Sequence, residues 1–458
     1  MGRNTTGISH FHLDHALLPQ GWERAVAVSV RNGMIEAVDA DAAPPAGAER
    51  LAGAALPGLP NLHSHCFQRG MAGLAERRGP ASDSFWTWRQ VMYRFLERLD
   101  PDDVEAVAAL AMVEMLEGGF TSLAEFHYLH HAPGGVPYAD RAELAGRIVA
   151  AAEKTGLALT LLPVFYAHGG FGGAEPVPGQ RRFLNDLDGF LSLREAAAAK
   201  VSAIGGVIGA APHSLRAVTP DELDGLLRAL PDGPLHIHIA EQMREVEECL
   251  AWSGRRPVEW LLEHAAVDGR WCLIHATHLT AGERDRIAAS GAVAGLCPIT
   301  EANLGDGLFD AAAYLARGGL IGVGSDSNVE ISAPGELRLL EYGQRLAHRG
   351  RNLLAAREGQ STGEALYLAA LAGGARALGQ PVGAIAPGHA ADFVVLDTRH
   401  PTLAAQEPAH WLDTYVFAAG APAIDRVIVR GRTVVSSGRH VAGEVIRRHY
   451  VERMRRLM

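Results

Sequence analysis

Eight times between residues 56 and 330 an apolar run gives way to a segment of helical periodicity, and this alternation constrains the fold more than any single motif. The runs are "LPGLPNLHSH", "TSLAEFHY", "LALTLLPVFY", "IGGVIGAAPHS", "PLHIHIAEQ", "WCLIHATH", "AVAGLCPIT" and "LIGVGSDSN". Helical stretches such as "DDVEAVAALAMVEMLE", "RAELAGRIVAAAEKTG", "TPDELDGLLRAL" and "AGERDRIAASG" separate them. Asp100 and Pro101 supply an N-cap and a first helical position, and Gly118-Gly119 stops that helix. Strict strand–helix alternation predicts a parallel sheet, and eight units predict a closed α/β fold, a (β/α)8 TIM-like barrel. An open doubly wound sheet is the runner-up, but no GxGxxG follows the first strand.

A barrel takes about 250 residues, and the chain has 458. Part of the surplus precedes the barrel: "AVAVSVRNGMIEAVDA" reads as a hairpin turning at Asn32-Gly33. Part follows it: "ADFVVLDTR" and "IDRVIVRGRTVVSSGRHV" are further β segments, with a turn at Gly431. The expected arrangement is one small β-sandwich built from both termini (1–55 and 381–445), a barrel over 56–380 and a C-terminal helix over 446–458. Two inserts remain, 67–99 and 167–188. The second carries "HGGFGGAEPVPG" and is expected to be mobile.

In such a barrel the chemistry sits at the C-terminal ends of the strands. Residues i and i+2 of a strand face the same way, so His63 and His65 can serve one metal ion while Ser64 points elsewhere. The second strand ends in Glu125, His127 and Tyr128, and the fourth in His213. The fifth brings His236, His238 and Glu241, the sixth His275 and His278, the eighth Asp326. With 21 histidines in the chain, one HxH pair means little. Imidazoles and acids crowded on one rim, above strands of Val, Leu, Ile, Ala and Gly, point instead to a zinc-type site with an open position for water.

Other classes are disfavoured. A formal net charge of −10 argues against nucleic acid. The first 20 residues lack an apolar core and no run approaches about 20 apolar residues, so neither a secretory signal nor a membrane span is expected. Cys66, Cys249, Cys272 and Cys297 form no CxxC pair and read as reduced thiols, as in a cytoplasmic protein. Lys154 and Lys200 are the only lysines among 42 basic residues, so arginine abundance alone carries no functional meaning.

The order "PGLPNLHSH", "HIHIAE", "LIHATHL", "GVGSDSN" resembles the amidohydrolase superfamily, in its mononuclear deaminase branch, over nearly the whole chain. "GAIAPGHAADFVVLD" resembles that family's return into its small domain. The resemblance implies that His63, His65, His238 and Asp326 bind a divalent ion, most simply Zn2+, with Glu241 and His275 around the attacking water. Two-metal members carry a carboxylated lysine at the end of strand 4; neither lysine lies at a strand end here, which implies one ion per chain. A more specific set, "NLHSHCFQRGMAGL", "DSFWTWR", "EFHY", "PHSLR" and "HIHIAEQ", resembles the deiminases of that branch that act in histidine degradation. These convert N-formimino-L-glutamate to N-formyl-L-glutamate and ammonia. Carried over, the resemblance implies that Gln68, Arg89, Tyr128, His213 and Arg216 bind substrate, and that Glu241, His275 and Asp326 are catalytic.

A dicarboxylate substrate independently asks for planar, bidentate cations, which arginine supplies better than lysine. His213 has a second reading, as support for the ligands. His127, His130 and His131 have no assigned role, His236 and His278 are expected to orient ligands, and Cys66 reads as a small buried hydrophobe. The nearest rival is a deaminase of a guanine-like or adenosine-derived ring, whose pocket would favour stacking aromatics and amide readers over two arginines. A metal-free scaffold would have lost ligands, and a hydrolase releasing formamide would belong to another fold. The expected partners are the small anionic substrate and a second copy of the chain, as a homodimer, with no nucleic acid and no membrane.

Overall fold

Eight parallel strands form the centre of the protein, whose computed structural model describes residues 8–79 and 83–457. They are β1 (Leu59–Ser64), β2 (Phe120–His127), β3 (Ala158–Phe165), β4 (Val207–Ile208 and Ala211–Pro212), β5 (Leu235–Ile239), β6 (Trp271–His275), β7 (Val293–Leu296) and β8 (Leu320–Val323). β1 to β4 pair in sequence order, and so do β5 to β8. Bridges Ala210↔Leu235 and Ser64↔Asp326 join the two halves, so the ring closes. β2 and β3 are buried along their whole length, as strands covered by helices outside and filled inside must be. At the closing seam Gly324 is required: a Cβ there would stand 2.7 Å from the backbone N and O of His63.

Helix signals read from the sequence recur with their caps. Pro101–Glu117 starts on Asp100, whose side chain accepts from the Asp103 N–H. Pro220–Ala229 and Ala281–Ser290 start on Thr219 and Thr280, each with a reciprocal Glu three residues on. Four local expectations change. β4 is two short pieces rather than one run. Between β5 and β6 lie two helices, Met243–Ser253 and Pro257–His264. "CPIT" is not strand, because Pro298 opens a helix, Pro298–Leu304, with its fixed φ at the first position. The 167–188 insert is fastened down: Arg182 is 1% exposed and its Nε donates to His131 O at 2.8 Å, while Gln180 Nε2 donates to the Tyr166 hydroxyl at 2.7 Å.

Both termini build one eight-stranded sheet beside the barrel, in the order Arg439–His440, Arg432–Ser436, Ile424–Val429, Phe393–Leu396, Glu49–Pro57, Ser9–Leu18, Gly21–Arg31, Met34–Asp39. The Asn32-Gly33 hairpin forms as read, with φ of 52° and 79° at the two turn residues. Phe11, Val28, Ile35 and Phe393 sit in a hydrophobic cluster separate from the barrel core. Glu49–Pro57 runs through Gly58 directly into β1, so the sheet fixes where the His63–His65 strand begins.

Candidate active site

His63, His65, His238 and Asp326 converge at the mouth of the barrel, all at most 6% exposed. His63 Nε2 stands 3.0 Å from His238 Nε2 and 3.5 Å from Asp326 Oδ1, and His65 Nε2 is 3.3 Å from the same oxygen. Burial lowers the pKa of all three imidazoles, His63 to about 3. The neighbouring histidines, against the effect of burial, hold Asp326 below the usual carboxylate range. Neutral imidazoles and an ionised carboxylate are the donors a divalent ion requires. Tetrahedral bonds of about 2.0–2.1 Å imply donor–donor separations of roughly 3.3–3.4 Å, close to those found here. The set fits a zinc-sized ion.

Neighbouring groups fix these ligands. His65 Nδ1 bonds Phe126 O at 2.9 Å, aiming Nε2 inward. Asn328 Nδ2 donates to Ser64 Oγ and to the carbonyls of His65 and Asp326 at 3.0–3.2 Å, tying the end of β1 to the end of β8. Glu125 accepts the Cys66 N–H at 2.7 Å, and burial raises its pKa to about 7. Ala240, His275, Ala276 and Asp326 all have positive φ although none is glycine. Strain of this kind persists where the surroundings over-determine the backbone, and it gathers at functional sites.

His275 lies beyond the ligand set. Its Nε2 is 3.7 Å from Glu241 Oε1 and 3.9 Å from Asp326 Oδ2, and its Nδ1 bonds Glu301 Oε1 at 3.2 Å. Burial opposes its charge, but Glu241, Glu301 and Asp326 outweigh burial and raise its pKa to about 10. Burial also raises the carboxyls of Glu241 and Asp306.

One pocket joins this centre to the substrate residues read from the sequence. Gln68, Arg89, Tyr128, His213, Arg216, Glu241, His275 and Asp326 all line it. Gln68 Nε2 donates to the Tyr128 hydroxyl at 2.8 Å, and the His213 ring lies 4.9 Å from that of His238. Arg89 comes from helix Phe85–Leu96, whose N-cap is Ser84, and it stacks 4.5 Å over Trp86 and 5.6 Å over Tyr93. Arg89 Nε and Arg216 Nη1 are shielded from solvent with no hydrogen-bond partner among the described residues. Aromatic rings are more numerous here than the sequence suggested: Phe85, Trp88, Tyr93, Tyr166 and Phe183 complete the wall.

Other histidines are used differently. His236 Nε2 bonds Ala377 O, and His130 and His131 bond Val164 O and Leu184 O, each at 2.8 Å. His236 is therefore spent on a helix end rather than on a ligand. The His278 ring lies against the turn after Asp306, where a Cβ on Gly307 would stand 3.3 Å from its Cε1. His127 has both ring nitrogens buried without a partner among the described residues. Cys66 is fully buried, as read.

Three acids were not singled out from the sequence. Glu245 accepts the N–H groups of Ala240 and Glu241 at 3.1 and 3.2 Å and lies 4.0 Å from Arg216. Glu301 accepts from Cys297 N at 2.9 Å as well as bonding His275. Asp306 has one ligand-type atom within 4.8 Å of those of Glu241 and His275.

A sequence profile described as "Amidohydrolase family" matches residues 54–434. The formimidoylglutamate deiminase of Pseudomonas aeruginosa is 52% identical over 97% of this chain and 98% of its own length. A 5-methylthioadenosine/S-adenosylhomocysteine deaminase of Pelotomaculum thermopropionicum is 27% identical over 83% of this chain and 80% of its own. A crystal structure described as an amidohydrolase from Brucella melitensis superposes with a TM-score of 0.93 at 50% identity, covering 98% of this chain and 99% of that one.

Proposed function

The chain belongs to the amidohydrolase family, and we propose that it is a deiminase hydrolysing N-formimino-L-glutamate to N-formyl-L-glutamate and ammonia, as in histidine degradation. The observation that carries the reading is that Arg89 and Arg216, each with one buried nitrogen (Nε and Nη1) lacking a partner among the described residues, line one pocket with His65, His238 and Asp326 of the ligand cluster. The substrate carries one carboxylate beside its cationic amidine, on the same carbon, and a second at the end of its side chain. Arg89 and Arg216 take the carboxylates, with Gln68, Tyr128 and His213 completing the contacts. The acids around His275 face the amidine.

A divalent ion held by His63, His65, His238 and Asp326 would supply Lewis acidity, of the kind that brings the pKa of a water to about 7. Asp326 is placed to take a proton from the water that adds to the formimino carbon. His275, held protonated, orients the attacking oxygen, with Glu301 fixing its ring through Nδ1. Glu241 passes a proton to the terminal nitrogen, which leaves as ammonia while the other nitrogen stays on glutamate. The same reading takes one ion per chain, since β4 leads through Pro212 to His213 with no lysine. It also takes the terminal sheet as a small β-sandwich, spanning 1–55 and 381–445, beside the 56–380 barrel.

The aromatic wall is the observation that favours a ring deaminase. However, Tyr93 of that wall is engaged with Arg89. Turnover separates the two readings: purified protein should favour N-formimino-L-glutamate over S-adenosylhomocysteine and 8-oxoguanine by orders of magnitude in kcat/KM. The reverse preference would overturn the dicarboxylate reading.

A further inference from the structure

Glu241 and Arg216 both line the pocket, and one side chain behind its wall reaches both. Glu245 is fully buried, in the first turn of helix Met243–Ser253. That helix starts on Gln242 without a side-chain cap. In a capping box an acid at this position returns to the N–H of the cap residue itself. Glu245 reaches further back: its Oε1 accepts from the Ala240 N–H at 3.1 Å and its Oε2 from the Glu241 N–H at 3.2 Å. Ala240 has φ 51°, an uncommon backbone for a residue with a Cβ. The carboxylate therefore holds the turn by which the chain leaves β5, and that turn aims Glu241 into the pocket.

The same Oε2 stands 4.0 Å from Arg216 Nη2. Arg216 follows β4, and its Nε donates to Ser214 Oγ at 3.4 Å. Two edges of the guanidinium are thus turned toward the protein, while Nη1 is buried without a partner among the described residues. A long arginine side chain has many rotamers to lose, so a fixed guanidinium needs such an anchor. The backbones of the two segments meet where the His238 N–H bonds His213 O at 3.1 Å. That bond does not reach the Arg216 guanidinium, and Glu245 does.

Building on the deiminase reading, we propose that Glu245 is a positioning residue that fixes the separation between the proton-transferring carboxyl of Glu241 and the carboxylate-binding guanidinium of Arg216. The departing nitrogen and the carboxylates belong to one short molecule, so a shift of either protein group misaligns the reacting end.

The test starts from Glu245→Gln in the metal-loaded protein. The amide offers one acceptor and one donor in place of two acceptors, so it cannot serve both N–H groups and face Arg216. A displacement of about 1 Å should lower kcat on N-formimino-L-glutamate about 10- to 100-fold. The inhibition constant of N-formyl-L-glutamate, which has the carboxylates but no amidine, should rise about tenfold, with metal content unchanged. Two double-mutant cycles decide the role. Added to Glu241→Gln, the Glu245 change should lower kcat by no more than about threefold further, and added to Arg216→Ala it should raise the inhibition constant by no more than about threefold. A side chain that only stabilises the fold would give its full loss in either background, and that result would overturn the proposal. Parent-like kinetics in Glu245→Gln would overturn it too. Glu245→Asp, one methylene short of the turn, carries the same cycles should the Gln variant fold poorly. A parent that releases no ammonia from N-formimino-L-glutamate would refute the deiminase reading and the proposal with it, a failure visible before any substitution.

Discussion

Glu241 sits 3.7 Å from His275 Nε2, with its own N–H tied to Glu245. Glu241→Gln keeps that shape and removes the transferable proton, so kcat should fall about 10²- to 10⁴-fold while metal analysis still finds the ion. Near-normal turnover would move the proton transfer to another acid. Arg89 and Arg216 make a separable prediction. A substrate carboxylate deprived of its guanidinium costs about 2–5 kcal/mol, so Arg89→Ala and Arg216→Ala should each raise KM more than tenfold. N-formimino-glycine, which lacks the side-chain carboxylate, should be a poor substrate for the parent and less sensitive to whichever arginine grips that group. Equal losses for both substrates in both variants would mean that the arginines act through folding. Most residues that meet in the pocket were legible because their motifs end strands or follow them closely, whereas Arg89, on helix Phe85–Leu96, came only from the resemblance carried by "DSFWTWR". Glu245 was hidden because helix Met243–Ser253 was not read from the sequence, although its period sets Glu245 beside Val246 and Cys249 on the buried face. Glu301 and Asp306 were hidden because they lie past a strand end that was read one turn too long.

At the scale of elements, the seam between β1 and β8 brings His65 and Asp326 together, and Asn328 is its tie, donating to three oxygens across it. Asn328→Ala leaves those groups without their donor and frees both strand ends, so metal affinity should drop about 10- to 100-fold. Competition with a coloured chelator measures it, and an unchanged affinity would show that the barrel alone holds the ligands. The alternating elements were visible in the sequence because parallel strands buried on both faces are continuous apolar runs. β4 was not. Gly206 and Gly209 pack against neighbouring backbone, where a Cβ would stand 2.8 Å from Leu159 O and 2.6 Å from Pro234 O, and only two short paired pieces survive. The glycine-rich insert looked mobile because composition does not reveal that Gln180 and Arg182 would be buried.

For the whole molecule, the junction of sheet and barrel carries a titratable group. Burial raises the Asp392 pKa from 3.8 to about 6, while the Arg430 N–H bonds its Oδ1 at 2.7 Å and Gly58, at the entrance to β1, bonds its carbonyl at 2.9 Å. A folded-state pKa above the unfolded one means that this contribution is complete below about pH 4 and is lost as pH rises through 6, by roughly 3 kcal/mol. Asp392→Asn should therefore melt at a higher temperature than the parent at pH 7–8 and lose that advantage near pH 4. A parallel shift across the range would contradict the titration. Among the described residues no helix is long and apolar enough to cross a membrane. The most direct test resolves the products formed from N-formimino-L-glutamate by the metal-loaded protein. The predicted result is ammonia and N-formyl-L-glutamate in equal amounts, abolished by a chelator and restored by zinc. Formamide with glutamate, or no consumption at all by protein that deaminates an adenosine derivative, would contradict the account.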